Sequence, residues 1–109
     1  GYGEISKVYW SSVYRGAIQR GLEFTITIEE ADSLLIKQDF KCALSGKTIF
    51  VKDKTASIDR INSLQGYTIE NIQWVHKSIN KLKNIFSNEE LIQMCTEVYL
   101  HNQSSNKRL

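Results

Sequence analysis

Residues 57–84, SIDRINSLQGYTIENIQWVHKSINKLKN, constrain the fold of this chain more than any other stretch. Two short β-prone runs, ASIDRI and IQWV, flank an irregular segment, NSLQGYTIEN, with Gly66 as its turn residue. From Val75 the apolar residues Val75, Ile79, Leu82 and Phe86 recur at helical spacing and form a buried stripe. Strand, loop, strand and helix make a ββα unit. On its helix His76, Asn80 and Asn84 are four apart and share one face beside that stripe. Asp59 ends the first strand, so strands packed on the helix bring Asp59 to Asn80. A carboxylate and an amide oxygen suit Mg²⁺, which keeps several waters and needs only one or two protein ligands.

The flanks are helical. Residues 5–21 place Ile5, Val8, Tyr9, Val13, Ala17 and Ile18 at spacings of three and four, with Gly21 as the stop. Thr27 with Glu30 forms a capping box, and Ile28, Ala31, Leu34 and Leu35 carry a helix to about Phe40. KCALSGKTIFV reads as two short strands about a Ser45-Gly46-Lys47 turn. The last helix starts at Ser87, again with a capping glutamate at Glu90, and buries Leu91, Met94, Cys95 and Val98. The expectation is an α+β fold: a ββα core with a short β-hairpin, two N-terminal helices and one C-terminal helix. It fills one domain over residues 1–109: a helical extension 1–40, the core 41–86, the last helix 87–102 and a polar tail 103–109.

Charge narrows the partner. Residues 41–83 hold eight Lys or Arg against Asp53, Asp59 and Glu70, a local +5 inside a chain of net +2. A local cationic surface on a near-neutral protein fits a polyanion as well as it fits a merely solvated face. No apolar run reaches the roughly 20 residues of a membrane helix, and no secretion signal opens the chain. Cys42 and Cys95 are expected as reduced, buried small hydrophobes in an intracellular setting.

At CALSG, SIDR, GYTIENIQWV and HKSINKLKN the chain resembles the HNH, or ββα-metal (His-Me finger), endonucleases, over residues 41 to about 84. In that family an Asp-His pair ends the first strand, an Asn sits before the second, and a His or Asn lies nine residues later on the helix. The resemblance implies Asp59 and Asn80 as metal ligands, Asn84 as a further one, and Asn71 as the residue that pins the loop. It also implies Mg²⁺ or Mn²⁺ as cofactor, with double-stranded DNA ahead of single-stranded as substrate. A homodimer or a place within a larger protein, and a phage or bacterial origin, fit the same picture.

The chain departs from the family twice. Arg60 stands where the general-base histidine belongs, and a guanidinium has no lone pair to accept a proton. It can clamp a phosphate or stabilise developing negative charge. The base then has to be His76, Tyr67 or a hydroxide on the metal, although a lone histidine at a helix start is more often structural. The second departure is zinc: where the family pairs cysteines, this chain has Cys42 with Ser45 and His76 with Ile79, and two ligands do not close a tetrahedral site. Lys77, Lys81 and Lys83, with Arg60, are the expected nucleic-acid contacts. Two functions follow as alternatives: a metal-dependent DNA endonuclease, or an HNH-fold module that binds DNA with catalysis weakened or lost.

Overall fold

The computed structural model describes residues 1–106 and is α+β: four helices and one two-stranded antiparallel sheet among those residues. Helix α1 (Lys7–Gln19) is capped by the Ser6 side chain, which accepts from the Tyr9 N–H at 3.1 Å. Helix α2 (Ile28–Lys37) opens on the expected capping box, with Thr27 and Glu30 exchanging bonds of 2.9 and 3.1 Å. Strand β1 (Ala56–Arg60) pairs with β2 (Ile72–His76) from Ala56 opposite His76 to Arg60 opposite Ile72. Helix α3 (Lys77–Lys83) follows β2 directly, and α4 (Asn88–Asn106) closes the described chain. No helix in it is long and apolar enough to cross a membrane.

A sheet of two strands has two edges, and both are covered. On the β1 edge the hydroxyl of half-buried Tyr9 accepts the Ile58 N–H at 3.0 Å. On the β2 edge the Gln38 side chain acts as a third strand, accepting from Trp74 N at 3.0 Å and donating to Trp74 O at 3.0 Å. Ala43 N adds a second bond to the same carbonyl at 2.9 Å. Edge groups left bare would invite intermolecular pairing. Trp74 itself is fully buried, donates from its indole to Ala31 O at 2.8 Å and stacks on Tyr9. It thereby joins α1, α2 and the sheet around one ring. Ile5, Ala17, Leu35, Ile49, Ile58 and Val75 complete the core.

Several sequence expectations shift. The hairpin expected at 41–51 is a single bridge, Lys41 with Thr48. Its backbone groups are spent instead on a tight turn, with Ser45 N on Cys42 Sγ at 3.3 Å and Gly46 N on Cys42 O at 2.9 Å. Helix α2 stops at Lys37, because Asp39 and Phe40 take positive φ values of 58° and 55°. Helix α3 begins two residues later than expected, since Val75 and His76 are held in the ladder opposite Ser57 and Ala56. The face it buries is not the expected stripe: Ile79 packs inward and Lys83 is fully buried, while Leu82 is exposed, as is Phe86 beyond the helix end.

Among the described side chains of α4, Leu91 alone is buried, with Asn88 and Met94 half-buried; Cys95, Val98 and Tyr99 are exposed. Cys95 is therefore not the buried hydrophobe expected, since that turn of the helix has no partner to cover it. Helix α4 also runs through 103–106, where a polar tail was expected; 107–109 lie outside the described residues.

Gly66 is required by proximity rather than by turn geometry. Tyr67 N bonds Glu23 O at 2.7 Å and Thr25 N bonds Tyr67 O at 3.0 Å, so the loop pairs with the segment before α2. A Cβ on Gly66 would overlap the Glu23 carbonyl oxygen and sit 2.7 Å from its nitrogen. Gly66→Ala should lower stability by about 1–3 kcal/mol, read as a lower urea midpoint with an unchanged m-value.

Candidate functional site

The antiparallel register puts Asp59 opposite Gln73, on the side of the hairpin that α3 covers. Lys83 is 0% exposed, and its ammonium donates to Asp59 Oδ2 at 2.8 Å, to Arg60 O at 2.8 Å and to Ile61 O at 3.1 Å. All three of its N–H donors are thus matched, the condition under which a buried lysine stays charged without a large penalty. Gln73 Nε2 donates to the same Asp59 oxygen at 2.9 Å and reaches Asn88 Oδ1 at 3.0 Å, which ties the first turn of α4 to the carboxylate. Among the described residues Asp59 Oδ1 has no partner, and it opens on a cleft of ≈ 640 Å³.

Asp59, Arg60, Lys77, Asn80, Lys81 and Asn84 all line that cleft, so six of the sequence-nominated residues converge. Asn80 donates its amide to Ser57 Oγ at 2.6 Å, which leaves its Oδ1 unengaged. Asn84 is exposed and ends α3 at φ 48°, ψ −113°, a conformation that asparagine tolerates better than most residues. Its identity thus has a backbone reason as well as a ligand one.

Arg60 is anchored from behind. Its Nη1 donates to Ser63 O and to Gln65 O, and its guanidinium lies 5.6 Å from the Tyr67 ring centroid. Asn71 holds the same loop from inside: its Oδ1 accepts from Asn62 N at 2.9 Å, and its Nδ2 donates to Asn62 O at 3.0 Å and Gly66 O at 2.8 Å. This buried asparagine does not reach the cleft; it fixes the loop that fixes Arg60.

Two nominations land elsewhere. His76 sits at the far end of the hairpin, opposite Ala56, and outside the cleft lining. Its Nδ1 accepts from Ser78 N at 3.1 Å, capping α3. Lys83 is not a solvent-facing phosphate contact but the counter-ion of Asp59. Burial, which alone would raise the Cys42 thiol, is outweighed by hydrogen bonds from Ser45, His76 and Leu44 that hold it below its ordinary value.

Sequence reasoning missed Arg20, which lines the cleft from the end of α1 and donates to the Tyr67 hydroxyl at 3.3 Å. A charge tally confined to residues 41–83 could not include it. Arg20, Arg60, Lys77 and Lys81 form no ion pair; among the described residues the only ones are Lys83–Asp59 and Lys41–Asp39. No trio of His, Cys, Asp or Glu gathers to hold a metal among those residues, so a cation here would depend on one carboxylate with amide oxygens.

No family model matches this chain. Over 97 residues it is 31% identical to an uncharacterized protein of Acanthamoeba polyphaga mimivirus. The match covers 89% of this chain but 17% of the viral protein, so the chain spans about one sixth of that relative's length.

The ion pair makes a specific demand on stability. Lys83→Met strands a buried carboxylate and should cost about 3–5 kcal/mol, measured by urea denaturation. Adding Asp59→Asn should return a large part of that loss. Simple additivity of the two substitutions would show that the pair is not coupled.

Proposed function

We propose that this domain binds the phosphodiester backbone of double-stranded DNA in the Asp59–Asn80 cleft. We propose further that it hydrolyses that backbone with one Mg²⁺ or Mn²⁺, as the HNH, ββα-metal nucleases it resembles do. One observation carries this reading: two unengaged oxygens, Asp59 Oδ1 and Asn80 Oδ1, line a cleft otherwise rich in unpaired cations. The donor set fits a hard divalent ion that keeps most of its waters, with Asn84 within the same cleft as a third oxygen source. Bound there, such an ion would polarise the phosphoryl group and stabilise the departing oxygen.

The chain's own residues do the rest. Arg60, Lys77, Lys81 and Arg20 attract the phosphate and hold it against the site. Arg60 presents a guanidinium whose position is set by two loop carbonyls and, through them, by Asn71. Lys83 and Gln73 hold Asp59 in one rotamer with Oδ1 outward. With Arg60 unable to accept a proton, His76 engaged as a cap and Asp59 Oδ1 committed to the metal, the Tyr67 hydroxyl is the protein group left on the cleft wall to serve as acceptor.

That scarcity of acceptors favours a second reading, a DNA-binding module of the same fold with weak or absent catalysis. Supercoiled plasmid with Mg²⁺ separates them. The enzyme should nick in a metal-dependent way, and Asn80→Ala should reduce nicking at least about a hundredfold, as expected for loss of a ligand. Clean plasmid binding with no nicking under Mg²⁺ or Mn²⁺ would sink the enzymatic reading and leave the binder.

Arg60→His gives the complementary measurement. The loop bonds made by Arg60 are lost with it, so plasmid affinity should fall. If the missing base limits the chemistry, single-turnover nicking at saturating protein should nevertheless rise.

A further inference from the structure

A second depression adjoins the cleft and shares its Ser57 and Lys77 walls. This groove, of ≈ 1050 Å³, runs between the N-terminal segment and the loop before β1. Lys7, Lys52 and Lys54 line it beside Lys77, and the acid on its wall is Glu4. None of these lysines has a carboxylate within ion-pairing distance among the described residues. Asp53, between Lys52 and Lys54 in sequence, is turned into its own loop. Its carboxylate accepts from Thr55 Oγ1 at 2.6 Å and from Thr55 N at 3.1 Å, which holds it below the ordinary carboxylate range.

Two of the lysines stand where stability argues against them. Lys54 has φ 65°, the left-handed region that strains any residue with a Cβ and that glycine or asparagine would occupy at less cost. Lys7 begins α1, where the helix dipole disfavours a cation, and no acid in the first turn offsets it. The local fold gains nothing from positive charge at either place. An external anion would.

We infer that the groove continues the nucleic-acid path: the strand that enters the Asp59–Asn80 cleft passes Lys77 and lays further backbone phosphates against Lys52, Lys54 and Lys7. This rests on the cleft being a phosphodiester site, as proposed above. Strand β1 joins the two depressions, with Ser57 on the shared wall and Arg60 in the cleft. From Ala56 to Arg60 it covers about 13 Å, roughly four axial steps of a duplex strand. The path therefore reaches beyond the scissile bond on one side, and the groove reads backbone rather than sequence.

The test is a binding titration in EDTA, so that cleavage plays no part. It uses a labelled DNA duplex of about 16 bp over about 50–200 mM salt. Lys52→Ala/Lys54→Gly should flatten the slope of log affinity against log salt by about 1.8, the loss of two phosphate contacts. It should do so without lowering the melting temperature, because glycine relieves the strain at position 54. Lys52→Gln/Lys54→Asn should behave in the same way and guards against a loop defect peculiar to glycine. An unchanged slope in both variants, while Arg60→Gln/Lys81→Ala still lowers it, overturns the groove and leaves the cleft standing. If no pair of substitutions moves the slope, the cleft reading fails as well.

Discussion

A single ammonium group organises this domain. Lys83 reaches from the last turn of α3 into the space behind β1, where it meets one carboxylate oxygen and two backbone carbonyls. Burying a charge is unfavourable unless every donor is matched, and here every donor is. The pair sets how α3 sits on the sheet, because its distances hold only if the helix begins and ends where it does. It also fixes which oxygen of Asp59 faces the solvent. Fold and cleft thus share one interaction, and a chain that failed to form it would be less stable and would no longer hold Asp59 Oδ1 outward.

Much of the frame was legible in the sequence. The two strands, the Thr27 capping box and the convergence of Asp59, Asn80 and the flanking cations follow from local patterns that the tertiary structure leaves intact. Lys83 was illegible for a physical reason: lysine is almost never fully buried, so a lysine on a basic helix is assigned to solvent. The Asp59 carboxylate and the carbonyls of Arg60 and Ile61, converging at the end of the strand, are what make its burial possible. The apolar stripe misled for a related reason. Leu82 and Phe86 have the right spacing, but the ladder takes Val75 and His76, the helix turns Ile79 and Lys83 inward and Leu82 outward, and it ends before Phe86.

Arg60 stands where the HNH pattern that the sequence resembles has a histidine. Its surroundings explain why histidine is not a simple exchange. The guanidinium bridges two loop carbonyls and faces Tyr67, whose hydroxyl takes a bond from Arg20. An imidazole could not span those contacts. The loop braced by Asn71 and the arginine it presents therefore form one unit, and the position of positive charge in the cleft depends on a buried amide with no exposure to it.

Gln73 gives the cleft a mechanical neighbour. Its amide bonds Asp59 on one side and exchanges bonds with Asn88 on the other, at 3.0 and 3.3 Å. Asn88 is the first residue of a helix whose outer turns carry exposed Val98, Tyr99 and Leu100. With Leu91 buried close by on the same helix, these amides tie the start of α4 to the carboxylate, so the seating of that helix and the aim of Asp59 are not independent.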